Sequence, residues 1–345
     1  MLNKETIASP NENTYFVFAV IFSVLVWIGL TVCSLGFIWV IVAFLSSLAW
    51  LANGLLVAAI RSNAVEVHTD QLGKLDATFR DVCYMLGQPK IPELYIIESG
   101  GLLNAFATRH AGRHFVVVYS DMLDALGSES REMRFLLGHE IGHIRQNHLL
   151  KRMLLAPAFF LPLLGPAYSR ACESTCDRYG AFAAGNPEAA MRAMMTLAGG
   201  KTVCREMNPH HFADQNHKYR GFFVSWFELI SGYPTLSRRV RDLRELATGK
   251  LEPVPSRNPI AYLFAMGTIG GGIGATFSFI IIMFILAIPA VSPGFREFQN
   301  SRAQQRASSQ YSPPSLQSPS GSANSSMSGS QDDSASQPTD STDSN

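Results

Sequence analysis

From Tyr15 to Ile60 no residue carries a charge, a run of 46 positions. Coiled as one helix at about 1.5 Å per residue, it would reach roughly twice the ~30 Å of a bilayer's hydrocarbon core. The pattern therefore predicts two crossings within residues 15–60, with the break at Ser34-Leu35-Gly36 and spans near 15–33 and 37–60. Trp27, Trp39 and Trp50 fall at positions suited to an interface or to packing. A cleaved signal peptide fits poorly, because the apolar run is too long, Glu5 and Glu12 precede it, and no small-residue cleavage site interrupts it. A second uncharged run, residues 258–294, predicts a third, tilted span over its apolar part, Ile260 to Val291. Gly267, Gly270, Gly271 and Gly274 supply two small-xxx-small spacings that would let another helix approach closely.

Between these runs, residues 61–257 alternate like an α+β domain. Leu72, Leu75, Phe79, Val82, Cys83 and Leu86 recur at helical spacing, and Gly87 with Pro89 ends that helix. Extended segments are expected at Leu94–Glu98, Leu103–Thr108 and His114–Tyr119, the last two joined as a hairpin through His110-Ala111-Gly112-Arg113. Helices follow, one from about Ser120 and one capped by Ser128 and running through Arg131 to about His148. Asn186-Pro187 opens another, as an N-cap followed by Pro at the first helical position. Residues 1–14 form a short N-terminal segment. Residues 295–345 form a Ser-rich tail that cannot bury enough apolar surface to offset the entropy of ordering it.

Composition and charge narrow the class. Only 16% of residues are charged, against about 25% in soluble proteins, which agrees with a multi-pass membrane protein in contact with the lipid bilayer. A net charge of +1 offers no electrostatic footprint for nucleic acid, so no nucleic-acid partner is expected. The five cysteines are odd in number and scattered, with no Cys-x-x-Cys pair, so they are expected to be reduced packing residues. Arg61, Lys74, Arg80, Lys250 and Arg257 lie on the domain side of the spans, and the positive-inside bias leans towards a cytoplasmic domain, as in the inner membrane of a bacterium. Three spans then place the tail on the opposite side.

The chemistry concentrates in His139-Glu140-Ile141-Gly142-His143, within an apolar-periodic helical stretch. Residues four apart on a helix sit about 40° apart, so two imidazoles converge on one zinc ion while Glu140 occupies the neighbouring face as general base. Hydrolytic zinc needs a third protein ligand. Glu173 is the best candidate, with Asp177 one turn on to orient a ligand histidine. His148 is an alternative but stands five residues beyond His143, rotated off its face. Cys172 and Cys176, one turn apart, suit packing better than a soft metal.

These motifs in this order resemble the zinc metallopeptidase family that contains HtpX, the type I CAAX prenyl proteases and the OMA-type mitochondrial quality-control protease. The matching stretches are Asn104 to Thr108, Val116 to Val118, His139 to His143, Glu173 to Asp177, and Pro234 followed by Arg239-Val240 and Leu243, within residues 64–247. The resemblance implies one Zn2+ per chain held by His139, His143 and Glu173, Asp177 as partner of the metal helix, and Asn104, Ala105 and Phe106 as a substrate-binding edge. Such an edge has a physical basis, since unpaired strand N–H and C=O groups hold an extended peptide.

Two departures stand out. Only 29 residues separate His143 from Glu173, where HtpX-type members carry two spans, and the Pro-interrupted apolar segment Leu154 to Tyr168 is expected to be a membrane-facing or buried loop. Tyr233 precedes Pro234 where the family usually has His; its phenol can donate to an oxyanion, with His210 and His211 as other possible donors. The sequence thus predicts a gluzincin-like zinc peptidase domain inserted between transmembrane helices, with Glu140 and Tyr233 catalytic. It would cleave membrane or membrane-proximal polypeptides, as in protein quality control, and CAAX processing is less favoured. The rival is a catalytically inactive zinc-binding membrane adaptor.

Overall fold

The computed structural model describes residues 7–267. The third span beyond Gly267, with Gly270, Gly271 and Gly274, the tail, and Met1 to Thr6 lie outside the described residues.

Two long apolar helices come first, α1 (Pro10–Cys33) and α2 (Ile38–Asn63). Each is long and apolar enough to cross a membrane. The break falls where the sequence places it, with Leu35 and Gly36 at φ 51° and 85°. Helix α1 starts earlier than the charge pattern indicates, because Pro10 serves as a first helical residue and draws Glu12 into the first turn.

A short strand β1 (Val65–Glu66), which alternation does not reveal, leads to α3 (Gly73–Leu86), closed by Gly87 in the left-handed conformation. Strands β2 (Glu93–Ile97), β3 (Ala105–His110) and β4 (Arg113–Tyr119) complete a sheet of order β1-β2-β4-β3. β2 and β4 are parallel and β3 pairs antiparallel to β4, with His110 opposite Arg113 across the two-residue turn Ala111-Gly112. Both turn residues have positive φ, as a twisted hairpin requires. β4 is buried on both faces with period two. Val116 and Val118 join the core with α3 and the metal helix, while Phe115 and Val117 pack on Val57 and Ile60 of α2. Each fully buried side chain of this kind contributes about 1.5–3 kcal/mol, so the sheet fixes the end of α2 as well as the domain core. β3 is left at the edge. Leu103 and Asn104, expected inside it, precede it.

The rest is helical: α4 (Ser120–Leu126), α5 (Arg131–Arg145), α6 (His148–Leu154), α7 (Ala156–Phe160) and α8 (Leu164–Ala184). Beyond them lie α9 (Pro187–Val203), α10 (Pro209–Lys218), α11 (Phe222–Ile230), α12 (Leu236–Thr248) and α13 (Pro259–Gly267). Three expectations are corrected here. The cap of α5 is Ser130, whose hydroxyl accepts from Met133 N at 2.9 Å, not Ser128. α5 does not run to His148; it ends at Arg145, and Asn147 at φ 53° restarts the chain as a separate helix. Leu154 to Tyr168 is not a plain loop, since α7 and the start of α8 lie within it, with Leu155, Ala158 and Tyr168 buried against Ala19 of α1. The predicted Asn186 cap is present, accepting from Glu188 N at 2.9 Å.

Candidate metal centre

Helices α5 and α8 cross closely enough to bring their chemistry together. A Cβ on Gly138 would stand 2.6 Å from that of Ala183, and one on Gly142 would stand 3.2 Å from the Cys176 backbone, so only glycine permits the approach. The result is that Glu173 and Asp177 of α8 face His139 and His143 of α5.

His139 Nε2 and His143 Nε2 are 3.2 Å apart. Glu173 Oε2 is 3.4 Å from the first and Oε1 is 3.6 Å from the second. Donors about 2.0–2.1 Å from a tetrahedral zinc are roughly 3.3 Å from one another; the imidazole pair has that spacing, and Glu173 sets one carboxylate oxygen near each ring. The chemistry of the donor set fits as well. Two imidazole nitrogens facing each other need a cation or a shared proton between their lone pairs. At the centre three buried carboxylates, Glu140, Glu173 and Asp177, stand against the buried guanidinium of Arg239.

Each ligand candidate is held from behind. With Nε2 facing the metal position, His139 Nδ1 donates to Asp177 Oδ1 at 3.0 Å. Arg239 of α12 grips both oxygens of Asp177, with Nε to Oδ2 at 2.8 Å. Burial disfavours the His139 cation, yet the Asp177 and Glu173 carboxylates outweigh it and hold its pKa up at about 9. For Glu173 burial pushes the other way, and the two histidines with Arg239 draw its carboxyl down to about 2, leaving a charged ligand. Burial pushes Glu140 up to about 7, a range suited to accepting and releasing a proton near neutrality.

A cleft of about 470 Å³ opens over these groups. Asn104, Ala105, Phe106 and Ala107 form one wall, with Tyr233 and Arg152 also in the lining. β3 is an edge strand, as the substrate-edge expectation requires, although Asn53 of α2 already occupies the Arg109 carbonyl at 2.6 Å. The unpaired stretch beside the cleft is therefore short. His210 and His211 do not reach the cleft. They sit in the first turn of α10, and His210 faces Glu188 at 3.7 Å.

Two functional side chains escape sequence reasoning. Arg239 was visible only as a matching residue; its signal is a charge on the buried face of the amphipathic helix that carries Val240 and Leu243. His148 is no off-face residue. The turn at Asn147 brings its Nδ1 to 3.0 Å from His143 Nδ1. The five cysteines are free, and Cys172 and Cys176 are buried in packing positions beside the centre.

The model of Peptidase family M48 matches residues 69–166 and 156–247, together more than half of the chain. The chain is also similar to the Plastoglobule-localized metallopeptidase 48, chloroplastic, of Arabidopsis thaliana, with 27% identity over 173 residues, 45% of this chain and 49% of that protein. It thus spans about half the length of that relative. No solved structure gives a significant match. The extent of the family match, falling on the very segments that build the centre, places this chain in peptidase family M48, whose members are zinc-dependent metallopeptidases.

Proposed function

We propose that the protein is a membrane-anchored zinc endopeptidase that cleaves membrane or membrane-proximal polypeptides. The observation that carries this reading is the spacing of the three donors beside a buried glutamate and an edge strand. His139, His143 and Glu173 would hold one zinc ion, which when bound supplies Lewis acidity, lowering the pKa of a water to about 7 and polarising a carbonyl. Glu140 takes a proton from the attacking water on its carboxylate and delivers it to the leaving nitrogen. The β3 edge near Ala105 to Ala107 aligns the substrate backbone, where the Ala105 N–H already pairs with Asn104 Oδ1 at 2.9 Å and the Ala107 N–H with Glu140. Tyr233, half exposed on the cleft wall, is positioned to donate its phenol hydrogen to the carbonyl oxygen as charge develops there.

Membrane anchoring is supported by α1 and α2, whose apolar side chains, such as Leu25, Val32, Phe44 and Trp50, are exposed. Met153 and Leu154 of α6 and Phe160 of α7, which adjoin α1, add exposed apolar surface, and Phe223 of α11 is exposed as well. Insertion of the domain between α2 and a third span, one zinc per chain and a role in quality control belong to the same proposal. Its test is metal analysis and peptide hydrolysis on the full-length protein in detergent. One zinc per chain, activity lost to a chelator and restored by zinc, is the expected result. Hydrolysis that survives complete zinc removal overturns it.

A further inference from the structure

Behind His143 a chain of side chains runs back to the first apolar helix. His143 Nδ1 lies 3.0 Å from His148 Nδ1, and His148 Nε2 lies 3.1 Å from Glu12 Oε1. Glu12 and His148 are both buried, and Lys151 Nζ approaches the same Glu12 oxygen at 3.5 Å. With both rings neutral and Glu12 ionised, one assignment of hydrogens satisfies the two contacts. Glu12 is an acceptor, so His148 carries its hydrogen on Nε2 and presents a bare Nδ1. His143 must then donate from Nδ1, which leaves its Nε2 lone pair turned towards His139 and Glu173. Cys176 Sγ, 3.5 Å from the same His148 Nδ1, is compatible with this assignment, since a thiol hydrogen can point at that nitrogen.

We propose that Glu12 and His148 are positioning residues for the metal centre, fixing the tautomer and ring orientation of His143 from the first turn of α1. The inference rests on the zinc reading above. It gives α1 a function beyond anchoring, since a carboxylate 136 positions away in sequence from His148 reaches the centre only when α1 is docked on α8. The substrate chemistry is unaffected: neither residue touches the reacting atoms.

The test measures zinc affinity by chelator competition on full-length protein, with the visible spectrum of the Co2+-substituted centre as a second readout. Glu12→Ala and His148→Phe should weaken zinc binding by about 10- to 100-fold, the usual loss when a ligand's outer partner is removed. Both should alter the Co2+ spectrum. His148→Gln and Glu12→Gln keep an acceptor oxygen and should recover part of the affinity. Phe159→Ala is the control for docking alone, because Phe159 packs on Tyr168 at 6.3 Å between ring centres, in the apolar cluster that includes Ala19 of α1. It should lower thermal stability with affinity and spectrum unchanged. Wild-type affinity and spectrum in Glu12→Ala and His148→Phe would overturn the proposal, as would an equal loss in Phe159→Ala. Failure of the zinc reading looks different: the wild type itself takes up no stoichiometric zinc, which overturns both.

Discussion

The two histidines of the centre are supported in unlike ways. His139 leans on Asp177, and Asp177 on Arg239, so its support comes wholly from packed helices of the domain, α8 and α12. His143 leans on His148 and through it on Glu12, so its support ends in α1, a helix long and apolar enough to cross a membrane. The first arrangement is a direct carboxylate–histidine contact reinforced by a buried ion pair. The second inserts a neutral ring between ligand and carboxylate. The difference teaches that the domain core can hold one histidine by itself, while the geometry of the other is coupled to how α1 docks.

Loss of a ligand itself should erase the distinction. His139→Ala, His143→Ala or Glu173→Ala each removes a bond to the metal, and metal analysis should find little zinc in any of them. Full occupancy in Glu173→Ala would move the third-ligand role elsewhere. The next largest effect falls mainly on the His139 side. Arg239→Ala leaves Asp177 as a buried charge without its partner, and should lower unfolding stability by about 3–5 kcal/mol, read in a denaturant titration. A smaller loss there than in His148→Phe would reverse the proposed asymmetry.

Tyr233→Phe touches neither histidine. It should leave zinc content and substrate affinity alone while lowering single-turnover cleavage by about a hundred- to a thousand-fold, the cost of one oxyanion donor. An unchanged rate removes Tyr233 from the mechanism. The smallest effect is expected of Ser130→Ala, which removes the cap of α5 and should cost about 1 kcal/mol. Zinc affinity should hold in this variant. A parallel loss would mean that the centre responds to any destabilisation of α5, and the comparison between the two supports would lose its meaning.

The same contrast runs through what the sequence makes legible. His139, Glu140 and His143 are set by one helical period, the hairpin by Ala111-Gly112, and the break between α1 and α2 by Leu35-Gly36; all are local rules. Glu173 and Asp177 needed the family resemblance, because helix crossing at Gly138 and Gly142 is a tertiary fact. His148 is illegible because the helical period runs on past Arg145 in the sequence, whereas a single residue, Asn147 at φ 53°, starts a new helix there. Glu12 was read only as a charge at the edge of an apolar run. Its partner lies 136 residues away, and no spacing rule reaches so far. Arg239 was hidden for the reason that buried arginines usually are: its value depends on the carboxylate that meets it.

The central claim is that these groups assemble a working peptidase centre, with Glu140 moving the proton. Glu140→Gln keeps the size of the side chain and removes its basicity while leaving all three donors in place. Wild type and variant, each shown to hold one zinc per chain, are compared in single-turnover cleavage of one peptide. The account predicts equal zinc content and loss of cleavage in the variant. Cleavage at the wild-type rate with zinc retained would contradict it.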